Sequence, residues 1–599
     1  MFGLLLNLLL IAGIIAGVAV LLRRRRGAGV DLGIGGLRRF YIYGLALAGL
    51  VAAGIGLVLL LKTALDSLFG PPAISTSQRT LALGLALAIV GTPIWLIFWS
   101  TAQRSIGQAP IEAGAVGRKL YMYLVLAASA ITAAVGVVGF LRWAFGVGSF
   151  SGTSPALAIV WGAVWALHWT IEDREGQPNA DAMSIRRAYV YLLALFSLAM
   201  LSLGVGGLLS SLLGVAYDAL FGRPQLLIGE ATGWNEATKT GVAMALVGGL
   251  LWWWHWHRTA RGDVESTLRQ VYLYLFAVLG GATVVVVFAS ILLYHLLQWF
   301  IGKPEATSAR VQFDVVSSVI AAVVVGGGLW GYHWGVVQRE AALARRGLTE
   351  ARRVYNYLVA AVGLVTLGVG LTTIFAVAFG LLSPERGPRL TGGDWWRNPL
   401  VLAITLLAVG VPLWGLYWSE VQRLAADGGP TERHALSRRV FIYLIFFASV
   451  LLTLVNLSIA LFRLFDALLG EGTRSTLLWD VRWNIGMLLT AGAVSIYYWL
   501  VLREDRQALA LAPQAAAPAA RRKTVTALVS EQDLPLVGRL EAQLGYAIHV
   551  WRRLEADGPA PALPDERVAD AANAIAASPA ERLILIVDAQ GIRIVPYSE

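Results

Sequence analysis

The chain has no cysteine and only 7 histidines and 6 methionines among 599 residues. Without a thiol there is no disulfide, no thiolate nucleophile, no cysteine-ligated zinc and no iron–sulfur cluster. Any metal or haem would have to be held by histidine, carboxylate or methionine. Charge is scarce as well, with 14% of residues charged against 57% hydrophobic and a mean hydropathy of +0.66. A chain this apolar is not a soluble globular protein and belongs in a bilayer. No apolar run carries Asp, Glu, Lys or Arg at its centre, which argues against a proton or sodium relay and against a voltage sensor. The polar residues inside the runs are Asn356, Asn456, Thr372 and Thr373, while His295, Arg142 and Arg463 lie close to run ends.

What is present is a succession of apolar runs, each about 20 residues long and so able to cross a hydrocarbon core of roughly 30 Å. They continue to about residue 502. The net charge of +11 sits in short basic clusters at the ends of these runs. Such clusters act as topology signals facing anionic lipid headgroups, so no nucleic-acid partner is expected. Residues 1–26 open with an apolar stretch that Arg23 to Arg26 follow, the reverse of a secretory signal, and no small-residue cleavage site comes after. This segment reads as an uncleaved anchor with its N-terminus outside.

One motif recurs six times at the start of an apolar run: RRFYIY (38–43), RKLYMY (118–123), RRAYVY (186–191), RQVYLY (269–274), RRVYNY (352–357) and RRVFIY (438–443). A second closes the following run: WLIFW (95–99), WALHW (165–169), WWWHW (252–256), WGYHW (330–334), WGLYW (414–418) and SIYYW (495–499). The pattern predicts six two-helix repeats, at 37–105, 117–175, 185–262, 268–340, 351–424 and 437–506. With the anchor, that makes about 13 spans. Lys and Arg in the linkers between repeats outnumber those in the loops inside them by about two to one, which places the linkers in the cytoplasm. All six repeats then cross in the same sense, and a ring or arc around an axis along the membrane normal is the simplest arrangement.

Counting 15 residues from the first aromatic of the opening motif gives Gly56, Gly136, Gly204 and Gly370, with Val287 and Asn456 in two repeats. A small residue at one depth suits close helix packing. Pro93 and Pro412, each two residues before a signature tryptophan, should kink their helices. After an Ala- and Pro-rich linker at 507–523, residues 524–599 read as a small α+β cytoplasmic domain, with a helix across 534–556, a second at 565–577 and two strand-like runs within 582–597. A domain this small is marginal alone, so it is expected to dock, dimerise or bind a protein partner. The predicted fold is therefore an all-α polytopic membrane protein with an N-terminal anchor, six parallel two-helix repeats and this tail.

Two sets of residues are candidates for a site. The fourth position of the closing motif is His168, His255 or His333 in three repeats and Phe98, Tyr417 or Tyr498 in the others. Equivalent depth would place the three histidines in one plane, able to bind a haem or metal cofactor, whereas an aromatic belt at headgroup level explains the same residues. The basic residues of the opening motif, Arg38, Arg39, Arg118, Lys119, Arg186, Arg187, Arg269, Arg352, Arg353, Arg438 and Arg439, are candidates for lipid or anion binding, with membrane lipids as partners. The outer loops and the tail carry no catalytic constellation, and an enzyme is not expected.

The pairing of an Arg-x-x-Tyr-x-Tyr helix start with a Trp-x-x-His-Trp helix end resembles a bacterial family of uncharacterised integral membrane proteins built from tandem two-helix domains of unknown function. The resemblance covers residues 38 to about 505, departing at Gln270 and Ser495. It implies a fold and an inner-membrane location, and no reaction. Three functions fit these readings: a channel, permease or lipid-facing assembly; a redox subunit holding haem or metal through the histidines; or a sensor or scaffold acting through the tail.

Overall fold

In hydrocarbon a backbone amide has no water to bond, so an apolar segment must satisfy its own polar groups, and the helix does so locally. The computed structural model describes residues 34–70, 78–108, 110–176, 180–222, 233–264, 266–344, 350–383, 394–469, 477–511, 524–529, 533–544, 548–552, 565–578, 580, 582–588 and 591–597. The expected anchor at 1–26 lies outside these residues.

The membrane part consists of α1 (Ile34–Phe69), α2 (Gln78–Gln108), α3 (Val116–Ala144), α4 (Thr153–Glu175), α5 (Ala180–Phe221) and α6 (Glu236–Trp252), followed by α7 (Thr267–Phe300), α8 (Val316–Ala344), α9 (Glu350–Leu382), α10 (Arg397–Asp427), α11 (Leu436–Leu469) and α12 (Leu477–Leu511). Among the described residues, 11 of these helices are long and apolar enough to cross a membrane. The exception is α6, 17 residues long, which runs on as a π-helical stretch over Trp253–Thr259. A second π-helical stretch, Tyr272–Val278, lies inside α7. Helices α2 and α10 run through Pro93 and Pro412.

In the first five hairpins the two consecutive helices pack closely, and glycine sets their closeness. A Cβ on Gly56 would stand 2.5 Å from the backbone nitrogen of Ala88, and one on Gly136 would stand 2.5 Å from that of Ala158. Gly204 meets the backbone of Ala245 and Gly241, and Gly370 meets Leu407. The four glycines of the series therefore serve helix contact inside their own hairpins. In hairpin 4 the π-helical stretch of α7 inserts one residue, so the matching place passes from Val287 to Phe288, and neither is a glycine. Gly281, nine residues after Tyr272, occupies the place held by Gly49 and Gly363, eight residues after their tyrosines. All three abut the first signature tryptophan of their hairpin, Trp330, Trp95 and Trp414.

The hairpins follow one another in a row. Each second helix also packs on the first helix of the preceding hairpin, α4 on α1, α6 on α3, α8 on α5 and α10 on α7. Among the described residues, substantial helix contacts join neighbouring hairpins only. At the row's last position α11 touches α12 through Ser449–Ser495 (2.9 Å) and Asn456–Asn484 (2.9 Å) and leaves Phe447 and Phe462 about two-thirds exposed.

The C-terminal unit, Leu500–Glu599, is a separate compact body. Its sheet has the order β2-β1-β3-β4, formed by β1 (Thr524–Val529), β2 (His549–Arg552), β3 (Arg582–Asp588) and β4 (Gly591–Pro596). β1 is parallel to β2 and β3, and β4 returns antiparallel. α13 (Leu534–Leu544) and α14 (Asp565–Ala577) cover one face, burying Val537, Leu540, Val568 and Ile575 against Val525, Ala527, Leu583 and Leu585. The helix expected across 534–556 stops at Leu544, and His549–Arg552 is a strand. Helical spacing cannot distinguish a short apolar run from a strand, and here pairing with β1 decides.

Candidate functional site

The two motifs of every hairpin meet at one end of the row, because the first opens a helix and the second closes its antiparallel partner. Tyr41 lies against Phe98, Tyr121 against His168, Tyr189 against His255, Tyr272 against His333, Tyr355 against Tyr417 and Phe441 against Tyr498. The six hairpins thus carry the site as six equivalent contacts.

Each histidine is buried and held at both nitrogens. Nδ1 lies 2.8 Å from the Val164 carbonyl in His168, 2.8 Å from Leu251 in His255 and 2.9 Å from Leu329 in His333. A carbonyl can only accept, so Nδ1 donates, and Nε2 of the neutral ring accepts from tyrosine. The tyrosine hydroxyls of Tyr121, Tyr189 and Tyr272 stand 3.3, 3.4 and 3.5 Å from these nitrogens. Trp95 and Trp252 of the preceding hairpins donate their indole N–H to Tyr121 and Tyr272 at 3.3 Å. The indole of Trp165 is in the same place over Tyr189 but falls outside hydrogen-bond geometry. The histidines therefore sit in three separate Trp–Tyr–His sets, and among the described residues no cluster of three His, Asp or Glu side chains could hold a metal. A haem or metal at Nε2 would have to displace a tyrosine.

The junctions between hairpins are not all alike. Between hairpins 1 and 2, Trp99, Tyr121 and His168 form a ring cluster, with centroid separations of 5.5, 5.5 and 5.8 Å. Trp256, Tyr272 and His333 repeat it between hairpins 3 and 4 at 4.9, 5.7 and 5.8 Å. Trp418, Phe441 and Tyr498 do so between hairpins 5 and 6 at 5.6, 5.2 and 6.0 Å. Over each tryptophan lies a buried guanidinium, Arg118, Arg269 or Arg438, at 5.1, 4.6 and 5.9 Å from the ring centroid. The cation stacks on the preceding hairpin rather than on a tyrosine of its own helix.

Burial demands partners, and each guanidinium has them, although among the described residues one terminal nitrogen of Arg118 and one of Arg438 makes no hydrogen bond. Arg118 is bonded to both oxygens of Glu175, and Arg269 pairs with Glu340 at 2.7 Å. Lys119 reaches Glu175 at 3.0 Å and Glu172 at 3.7 Å. Gln103 and Gln422 offer side-chain oxygens to Arg118 and Arg438, whereas Arg269 takes the backbone carbonyl of Ala260 at 2.7 Å. In the odd hairpins it is the second arginine that pairs, always with an acid in the linker to the next hairpin: Arg39 with Glu112, Arg187 with Asp263 at 2.9 Å, and Arg353 with Glu432 at 2.5 Å. Tyr123 meets Tyr189 between hairpins 2 and 3, and Tyr274 meets Tyr355 between hairpins 4 and 5, as Tyr43 meets Tyr121 and Tyr191 meets Tyr272 within pairs. Among the described residues no cation stacks on Trp169 or Trp334.

The eleven basic residues of the opening motif thus divide. Arg118, Lys119, Arg269 and Arg438 are buried, Arg39, Arg187 and Arg353 belong to linker ion pairs, and Arg38, Arg352 and Arg439 stand exposed with Arg186 half-buried. The acids were not among the candidates, although the sequence signals them. Seven residues after the fourth motif position stand Glu175, Glu340 and Asp505 in the even hairpins, against Ser105, Gly262 and Leu424 in the odd ones.

This alternation makes two hairpins the structural period, and the family comparison has the same period. The model of the family described as Domain of unknown function (DUF5671) matches at residues 39–152, 187–320 and 353–493. The chain belongs to this family. Each DUF5671 match opens on the paired second arginine of an odd hairpin, Arg39, Arg187 or Arg353, and runs into the even hairpin that follows. The tandem two-helix repeat of the sequence motifs is therefore half of the family's unit, which occurs here three times. No curated protein and no solved structure matches the chain.

Proposed function

We propose that this multi-pass membrane protein is a lipid-facing structural assembly of the bacterial inner membrane, with its motif-bearing ends and C-terminal domain in the cytoplasm. The observation that carries the reading is the inward closure of its chemistry: each signature histidine uses both ring nitrogens inside its own hairpin, and the buried Arg118 and Arg269 are each bonded to an acid of their own hairpin. Groups committed in this way support packing rather than transport or ligation. The cytoplasmic side follows from the excess of Lys and Arg in the linkers. On that face Arg38 and Arg186, the first arginines of odd hairpins, contact the phosphates of anionic lipids, while the C-terminal domain meets a protein partner or a second copy.

Native mass spectrometry of the detergent-purified protein tests this in one spectrum. Anionic phospholipid adducts are expected, reduced in the Arg38→Gln/Arg186→Gln variant. A haem or metal adduct lost on His168→Ala or His333→Ala would replace this reading with a redox subunit. Solute flux through liposomes holding the purified protein would replace it with a channel.

A further inference from the structure

Both π-helical stretches among the described residues lie at one junction. Trp253–Thr259 ends hairpin 3 and Tyr272–Val278 opens hairpin 4, and their rings Trp256 and Tyr272 touch at 4.9 Å. A π turn closes hydrogen bonds to the fifth residue back, as Ala260 N–H does to the His255 carbonyl at 3.0 Å. It holds one residue more than an α turn, and that surplus can pass to a neighbouring turn without breaking the helix. In the other two odd hairpins the corresponding helix contains Pro93 or Pro412, two residues before the signature tryptophan, and stays α-helical through it. Proline fixes where the backbone hydrogen bond is missing. Leu250 occupies that place in hairpin 3.

The partners at this junction are also of a kind that a one-residue shift would exchange. Arg269 bonds a backbone carbonyl, Ala260, where Arg118 and Arg438 bond glutamine side chains. Trp256 donates to the Tyr332 hydroxyl at 3.0 Å, and the same hydroxyl stands 3.4 Å from Nε2 of His257. We propose that the middle pair of hairpins is the flexing joint of the row: its π turns move by one residue and change the tilt between hairpins 3 and 4, while hairpins 1 and 2 stay rigid.

The absence of native cysteine allows paired spin labels on the full chain in lipid nanodiscs, read by pulsed dipolar spectroscopy. The Arg261→Cys/Arg339→Cys pair across the joint should give a distance distribution about twice as wide as the equivalent Arg104→Cys/Arg174→Cys pair in hairpins 1 and 2. Adding Leu250→Pro should narrow the first to the width of the second. Equal widths in the unmodified background would overturn the proposal, whether or not the proline variant folds. A wide distribution that a folded Leu250→Pro variant leaves unchanged would also overturn it.

Discussion

Every junction sets a ring of one opening motif against a ring of the next, but within a pair of hairpins a buried guanidinium of the even hairpin also lies on a tryptophan of the odd one, and among the described residues no such stack joins one pair to the next. The difference is one of register. Apolar and aromatic surfaces tolerate sliding, since a displaced ring still finds contact. A buried arginine tolerates less, because it is held by the carboxylate of its own hairpin and must also find a tryptophan on the other. The ion pair closes the even hairpin, Arg118 with Glu175 in hairpin 2 and Arg269 with Glu340 in hairpin 4, and the same guanidinium joins that hairpin to the odd one by lying on its tryptophan.

The largest test of this contrast is Arg118→Ala, which leaves Glu175 without its guanidinium. It should lower stability by about 3–5 kcal/mol, measured as thermal unfolding in detergent. Tyr274→Phe at a contact between pairs should cost only about 1 kcal/mol, and equal losses would erase the distinction. Next comes Tyr272→Phe, which removes the partner of Trp252 N–H and His333 Nε2 and should cost about 1–3 kcal/mol. The third pair already has phenylalanine there, and Trp414 donates instead to Tyr498 at 3.3 Å. Adding His333→Tyr to Tyr272→Phe copies that solution and should restore part of the loss.

A finer test lies inside the first pair. Lys119 and Glu172 correspond to Gln270 and Val337 of the second pair, so charge has been exchanged at both places together. Lys119→Gln alone should destabilise, and adding Glu172→Val should relieve it, with a coupling of about 1–3 kcal/mol in a double-mutant cycle. Additive effects would show that these two residues do not act as a pair. The smallest effect is expected for Arg38→Gln, an exposed side chain, which should change stability by under about 0.5 kcal/mol.

The spans, the hairpins and the meeting of the two motifs were legible in the sequence, because hydropathy, repetition and helix period all report on them directly. So was the role of Gly56, Gly136, Gly204 and Gly370 in helix contact. The alternation was not, although its traces were present: odd hairpins always open with Arg-Arg, and only even hairpins have an acid seven residues after the fourth signature position. An arginine letter is the same whether it is stacked and buried, as Arg118 is, or exposed, as Arg38 is. Only the acid brought beside it by the fold decides. The π turns were invisible for a related reason, since one inserted residue leaves both motifs intact and shifts only the spacing from Tyr272 to Gly281. β2 was hidden because His549–Arg552 is too short for periodicity to separate strand from helix.

A row whose substantial contacts, among the described residues, join only neighbours also bears on how the chain is made. A ribosome feeding a membrane releases helices in order, and here each new hairpin finds its main partner already in place, just ahead of it in the chain. Arg118 enters the bilayer before Glu175 has been translated, so for the length of one hairpin its charge waits at the interface, and the arrival of α4 closes the clasp. Insertion can therefore proceed as a sequence of small completed steps, with no early helix held open for a distant late one.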